Sequence, residues 1–335
     1  MVSSSCQSSA NHPIDTNNNL TLMRAWLEKH LKSSTITLTP LLKEASARTY
    51  YRVNHQPCSF VAVDSPSSQT DISALIKLTD FFSHRGIDVP TIHAFDQRQG
   101  FLLITDFGDQ LLLDQLNQSS APQLYAQAMD ILINIHNSYD SNNPIFACYQ
   151  SDDWQRESSW FVSWYVEHHL NFQMQSHHSE TWSNLVQIIL QNCEQQPHVL
   201  IHKDFHSRNL MYLNNQTLGV IDYQDAILGP ITYDIASLLN DCYIDWPRSQ
   251  VEDWLLSFKD KLQHANLLAT ISNEQFVRWF DITSLQRHLK NLGNFVRLNH
   301  ENNMPQFLNY LPRMYGYITD ITQRYDDLTE FASRE

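Results

Sequence analysis

Basic residues are scarce. Against 36 Asp and Glu the 335-residue chain has 22 Lys and Arg, a formal charge of −14. That balance argues against non-specific nucleic-acid binding or a basic lipid-facing patch, while leaving room for an anionic ligand held by a few local Arg side chains. Cysteine is sparse too. The five residues (Cys6, Cys58, Cys148, Cys193, Cys242) are scattered and form no CxxC pair, as expected for free thiols in a reducing compartment. No apolar run approaches the ~18 residues that a membrane span needs. The opening MVSSSCQSSANHP has neither the basic nor the apolar stretch of a secretory leader, so a cytoplasmic protein is expected. There is no internal repeat. What is present, 42% apolar and 17% charged residues, is enough for one large core or two smaller ones.

Along the chain the pattern changes once. Residues 1–19, rich in Ser and Asn, read as a disordered lead-in, and 20–31 as a short amphipathic helix. From 36 to 63 the runs TITLTPLL, TYYRV and SFVAV are strand-like, with NHQP as a hairpin turn. A helix over 70–84 is closed by Arg85-Gly86. Residues 91–96 and 101–105 flank a turn at 97–100. Beyond residue 106 helical spacing dominates, as in Leu124, Ala128, Ile131, Leu132 and Ile135, and Ser272 with Gln275 is a capping signal. The expected fold class is α+β in two lobes. A small β-rich N-lobe covers 20–106 and a larger helical C-lobe 107–335, and a cleft between such lobes suits a ligand.

One β island interrupts the helical half: a strand at 199–201, a loop at 202–209, a strand at 210–213, a turn at 214–217 and a strand at 218–221. Pairing Leu213 with Leu218 puts Asn209 opposite Asp222. Two oxygen ligands side by side, with Asp204 just upstream, suit a hard cation such as Mg²⁺, whose other ligands would be phosphates and water. A rival reading takes His202, Asp204 and His206 as zinc ligands. It lacks the HExxH glutamate and sits on a loop rather than a helix.

His202, Asp204 and Asn209 spell H-x-D-x-x-x-x-N, and Asp222-Tyr223-Gln224 follows where D-F-G would stand. The arrangement resembles the catalytic and metal-binding segments of the protein-kinase-like superfamily. His206 and the run Gly229-Pro230-Ile231-Thr232-Tyr233-Asp234-Ile235-Ala236 point to its small-molecule branch. Four stretches extend the resemblance over most of the chain, 45–53 (ASARTYYRV), 61–66 (VAVDSP), 103–109 (LITDFGD) and 286–293 (QRHLKNLG), and the second and fourth, with Leu311-Pro312-Arg313, narrow it. They look like those of the anomeric N-acetylmuramate/N-acetylglucosamine kinases of cell-wall recycling, relatives of the aminoglycoside phosphotransferases.

The resemblance implies a bilobal kinase-like fold and ATP- and Mg²⁺-dependent phosphorylation of the C1 hydroxyl of an amino sugar. Phosphoryl transfer needs a carboxylate to orient the hydroxyl and oxygen ligands to place the metal. Asp204 is expected in the first role, Asn209 and Asp222 in the second. His202 is expected to brace the loop, and Asp234 to hold the loop or cap a helix. Adenine is expected at Ile104 and Asp106, against backbone groups. The third-strand Lys and following-helix Glu of protein kinases are both missing, so Arg48 is expected to meet the phosphates, with Arg52 as second choice and Ser46 bonding a phosphate. Arg208 and Asp225 are the substrate-side candidates, and a sugar face could stack on Trp160, Trp164 or Tyr165. The expected partner is a small amino sugar, with no nucleic acid, membrane or obligate protein partner. Two other functions fit the same motifs: transfer to an aminoglycoside or amino alcohol, and a nucleotide-binding pseudokinase.

Overall fold

The computed structural model describes residues 16–41, 48–56, 58–65, 72–139 and 146–332. Ser46, Cys6 and most of the expected lead-in lie outside them. The chain divides into two compact units, one of Met1–Ser73 with Thr91–Asp106, the other of Ala74–Pro90 with Phe107–Glu335. The segment 74–90, which the sequence pattern puts in the N-lobe, thus clusters with the helical unit.

In the first unit a helix, α1 (Thr16–Leu31), precedes β1 (Thr37–Pro40), β2 (Thr49–His55), β3 (Cys58–Asp64), β4 (Ile92–Asp96) and β5 (Phe101–Thr105). α1 opens four residues before the amphipathic pattern does. The strands form one antiparallel sheet in the order β1-β2-β3-β5-β4. Side chains alternate across a strand. Phe101, Leu103 and Ala62 therefore pack with Val53 on Met23, Trp26 and Leu27 of α1, while Val61, Val63 and Leu102 bury the opposite face. The β4–β5 turn is made by Asp96, whose Oδ1 accepts the Arg98 and Gln99 amides, and by Gly100 at φ +74°, a conformation open to glycine at little cost.

The second unit holds α2 (Ile72–Ser83) from Ala74 onward, then α3 (Leu112–Gln115), α4 (Ala121–Asn137) and α5 (Ser151–Trp160). α5 runs directly into a π-helix, Phe161–His169, and α6 (Ser176–Glu194) follows. The β island gives β6 (His198–Ile201), β7 (Leu210–Tyr212), β8 (Leu218–Val220) and β9 (Ile227–Pro230), and the chain continues through α7 (Tyr233–Leu239), α8 (Arg248–His264), α9 (Asn273–Asn302) and α10 (Leu311–Arg324). α9 is the axis of this unit. It has 30 residues, is capped by Ser272 accepting the Gln275 amide at 3.1 Å, and is buried from Phe276 through Leu298 on the faces that meet its neighbours. Among the described residues no helix is long and apolar enough to cross a membrane, and the four described cysteines are free thiols.

Candidate active site

The site grows from two short antiparallel pairs. β6 pairs with β9, so that His198 faces Pro230 and Ile201 faces Ile227. β7 pairs with β8, Leu210 facing Val220. This second register is one residue off the sequence expectation. Leu213 donates its amide to Thr217, not Leu218. The loop between them is three residues long and closes through Gln216 at φ +64°, the left-handed residue that three-residue hairpins use. Asn209 is consequently opposite Ile221, whose amide it accepts at 3.1 Å. Asp222, one step further and itself left-handed at φ +63°, still turns back toward it. The Asn209 Nδ2 and Asp222 Oδ2 lie 3.4 Å apart.

The loop 202–209 is tied at almost every residue. Buried His202 donates from Nε2 to the Ile221 carbonyl at 3.0 Å, leaving Nδ1 to accept the Asp204 amide at 3.3 Å. One neutral tautomer satisfies both bonds, and the ring ties the loop to Ile221 at the end of the hairpin. Asp234, in the first turn of α7, accepts the amides of His202 at 2.6 Å and Lys203 at 3.0 Å. Of its two expected roles, holding the loop is the one the structure displays. Ser207 is fixed through its amide and hydroxyl by Asp241. The Asn209 side-chain nitrogen, Nδ2, donates to the Asp204 backbone carbonyl at 2.9 Å.

Electrostatics separate the acidic groups. Burial alone would raise the Asp204 carboxyl, but Lys290 and Arg287 of α9 outweigh it and pull the group down to about 2. Asp234 goes the other way: burial pushes it up to about 6, against the opposing pull of the His202 amide, Arg287 and the Lys203 amide. Asp204 is therefore a carboxylate throughout the neutral range, weakly basic and held among cations. Asp222 is exposed and accepts Gln224 Nε2 at 2.6 Å. An exposed carboxylate with the Asn209 side-chain amide 3.4 Å away, through its nitrogen, is a donor set compatible with Mg²⁺, which keeps much of its water and takes one or two protein oxygens. Among the described residues no three His, Cys, Asp or Glu side chains gather as a metal cage, so the zinc reading finds no cage to rest on.

The other expected residues are more dispersed. Arg48 is 7% exposed, not a surface cation, and its Nε points to Ser65 Oγ at 3.4 Å. Arg52 is committed elsewhere, clamping Asp106 through two bonds of 2.7 and 3.1 Å. Asp64, at the strand end where protein kinases carry Lys, accepts Asn19 Nδ2 at 2.6 Å. Ile104 lies within β5, paired with Val61, and Asp106 directly follows that strand. Arg208 lies over the Tyr243 ring at 4.9 Å, and Asp225 is exposed in the turn after Asp222. Of the three aromatic candidates, Trp160 stacks under Arg297 and Trp164 against His168 and His300. Tyr165 lines a cavity of about 320 Å³ with His169, Leu308, Leu311, Pro312 and Tyr315.

Sequence reasoning missed a buried charged cluster behind the loop. Glu157 of α5 accepts Lys203 Nζ at 3.0 Å and a short bond from the Tyr149 hydroxyl, with Lys290 Nζ at 3.7 Å. Lys290 also reaches the Tyr233 hydroxyl at 3.0 Å, and Arg287 donates to the Lys203 carbonyl at 2.8 Å and Ser237 Oγ at 2.6 Å. The available signal was Arg287 and Lys290, three residues apart and so on one face of the helix.

Residues 37–267 match the model of a phosphotransferase enzyme family. The chain belongs to this family. It is 34% identical to the N-acetylmuramate/N-acetylglucosamine kinase of Pseudomonas putida over 88% of this chain and 86% of that one. The protein of the same name from Neisseria meningitidis is 28% identical over 91% and 92% of the two chains. Among solved structures, an ADP-bound aminoglycoside phosphotransferase superposes with a TM-score of 0.60, covering 91% of this chain and 99% of that one at 16% identity. A choline kinase from Streptococcus pneumoniae gives 0.61, covering 89% and 99% at 10% identity. At such identities these two show the fold alone, the bilobal α+β kinase-like class. The family makes the chain an ATP-dependent kinase.

Proposed function

We propose that this phosphotransferase moves the γ-phosphoryl group of ATP to the anomeric C1 hydroxyl of N-acetylmuramate or N-acetylglucosamine, a cytoplasmic step in cell-wall sugar recycling. The observation that supports the chemistry is the place of Asn209, whose side-chain nitrogen bonds the Asp204 backbone carbonyl at 2.9 Å and lies 3.4 Å from the Asp222 carboxylate. The amino-sugar substrate is supported by relatives of that name that align over most of both chains.

In this reading Asn209 Oδ1 and the Asp222 carboxylate hold Mg²⁺, which when bound neutralises charge on the nucleotide phosphates. Asp204 accepts a hydrogen bond from the C1 hydroxyl and turns its oxygen toward the γ-phosphorus. As the new O–P bond forms and the bond to the ADP oxygen breaks, the hydroxyl proton passes to Asp204 and then to solvent. Its low affinity for protons makes Asp204 chiefly an orienting group. The anomeric hydroxyl is more acidic than other sugar hydroxyls and needs orientation more than a strong base. From the first unit we assign Arg48, and Ser46 outside the described residues, to the phosphates, and the backbone of Ile104 and Asp106 to adenine. Arg52, neutralised by Asp106, is not assigned. Arg208 is our choice for the lactyl carboxylate, which a planar guanidinium can grip with two bonds, and Asp225 for a sugar hydroxyl.

The test is a panel of amino sugars, aminoglycosides and amino alcohols incubated with Mg-ATP, the product phosphate being located by phosphorus–proton coupling. Phosphate on C1, with loss of the reducing end, is the expected product. A phosphate on any other hydroxyl, or ATP turnover without an amino-sugar product, contradicts it.

A further inference from the structure

Lys203 stands immediately before Asp204 at φ +79°, a backbone conformation that glycine adopts freely and a side chain resists. Such strain persists only where the surroundings over-determine it, and here every group of the residue is used. Its amide donates to Asp234 Oδ1 at 3.0 Å. Its carbonyl accepts Arg287 at 2.8 Å. Its ammonium bonds Glu157 Oε1 at 3.0 Å and lies 4.8 Å from the Tyr149 ring centroid. The Glu157 side chain is 6% exposed and that of Lys203 21%, so the pair is largely withdrawn from water.

The other end of this link is itself anchored. Glu157 is on α5, one turn before the chain becomes π-helical. At that junction α9 approaches so closely that a Cβ on Gly293 would sit 2.2 Å from the Trp160 carbonyl carbon. Lys203 therefore reaches from the catalytic loop to a fixed point. A residue kept in a glycine-like conformation, with its side chain spent on an internal carboxylate, is explained by what that side chain holds in place.

We propose that Lys203 is a positioning residue whose ion pair with Glu157 holds the peptide before Asp204 so that the Asp204 carboxylate faces the acceptor hydroxyl, setting kcat rather than substrate affinity. The inference rests on the reading of Asp204 as the hydroxyl-orienting group.

The decisive variant is Lys203→Gly, which removes the strut while suiting the backbone. Assayed with Mg-ATP and N-acetylglucosamine, it is expected to lose tenfold or more in kcat, with both KM values within twofold and the melting temperature little changed. Lys203→Met is expected to lose as much, and Lys203→Arg, which keeps the cation, to recover most of it. Glu157→Gln should cause a similar fall, and Lys203→Met with Glu157→Gln should lose no more than either alone. Wild-type kcat in Lys203→Gly, or additive losses in the double variant, overturns the proposal. Asp204→Asn run in parallel separates the two readings. If it abolishes turnover while Lys203→Gly does not, only the strut is wrong; if it retains turnover, the role of Asp204 itself falls.

Discussion

Asp204 and Asp222 are acidic residues on neighbouring turns, and their surroundings differ in kind. The loop around Asp204 is sewn down by His202, Asp234, Asp241 and Arg287, and its carboxyl sits among buried cations. Asp222 is exposed. The next residue, buried Tyr223, bonds the Thr79 hydroxyl of α2 at 2.7 Å and meets the Phe82 ring edge-on. The contrast follows from the two proposed tasks. A group that must aim one hydroxyl gains from rigidity, whereas Mg²⁺ gives up water reluctantly and is better met by an open carboxylate.

Exchanging the ligand set should produce the largest effect. Asp222→Asn, or Asn209→Ala, is expected to lower turnover by more than the ~10–100-fold typical of residues behind a metal ligand, and to raise the Mg²⁺ concentration needed for half-maximal rate. A magnesium titration at saturating ATP measures both. Unchanged magnesium demand in the two variants would break the division of labour between the turns.

The next effect is smaller and depends on pH. With Asp234 pushed up to about 6, its ionised oxygens accept the two loop amides above that pH, and protonation below it removes one acceptor. Turnover should therefore fall as pH drops through about 6. Stability should move the other way. A pKa raised in the folded state favours the protonated fold, so the contribution is fully present below the unfolded value of about 4 and is lost as pH rises through 6. Asp204, held at about 2, contributes stability above about 4 that is lost only as pH falls through 2, outside the assay range. Rate and melting profiles from pH 5 to 8, with Asp234→Asn as control, check this. The inflection near 6 should vanish in the variant.

The smallest effect sharpens the comparison on the Asp222 side. Tyr223→Phe removes one hydrogen bond and leaves Thr79 bonded to the Leu75 carbonyl. The bond contributes about 0.5–1.5 kcal/mol to stability, which caps the expected rise in magnesium demand at about tenfold, read from the same titration, with little change in the ATP KM.

What could be read from the chain alone follows from how far apart the partners are. The H-x-D-x-x-x-x-N run and the Asp222 segment share one hairpin, so spacing alone brings them together. The register slipped by one because the left-handed Gln216 shortens the loop, and an ordinary Gln announces nothing of the kind. The Arg52–Asp106 clamp joins residues 54 apart, and Glu157 meets Lys203 over 46; no local pattern marks either pair. The π-helix is equally silent, since an aromatic-rich stretch after a helix reads as more of the same helix. Asp234 could be narrowed to two roles from its place before a helical run. Choosing between them required the loop it grips.

The most direct measurement is a single-turnover experiment with Mg-ATP and N-acetylglucosamine, comparing the wild type with Asp204→Asn. The amide keeps the shape and loses the charge that, in the proposed mechanism, orients the hydroxyl and receives its proton. We predict a transfer rate about 10²–10⁴-fold slower, with ATP binding unchanged. Transfer at the wild-type rate would contradict the role given to Asp204.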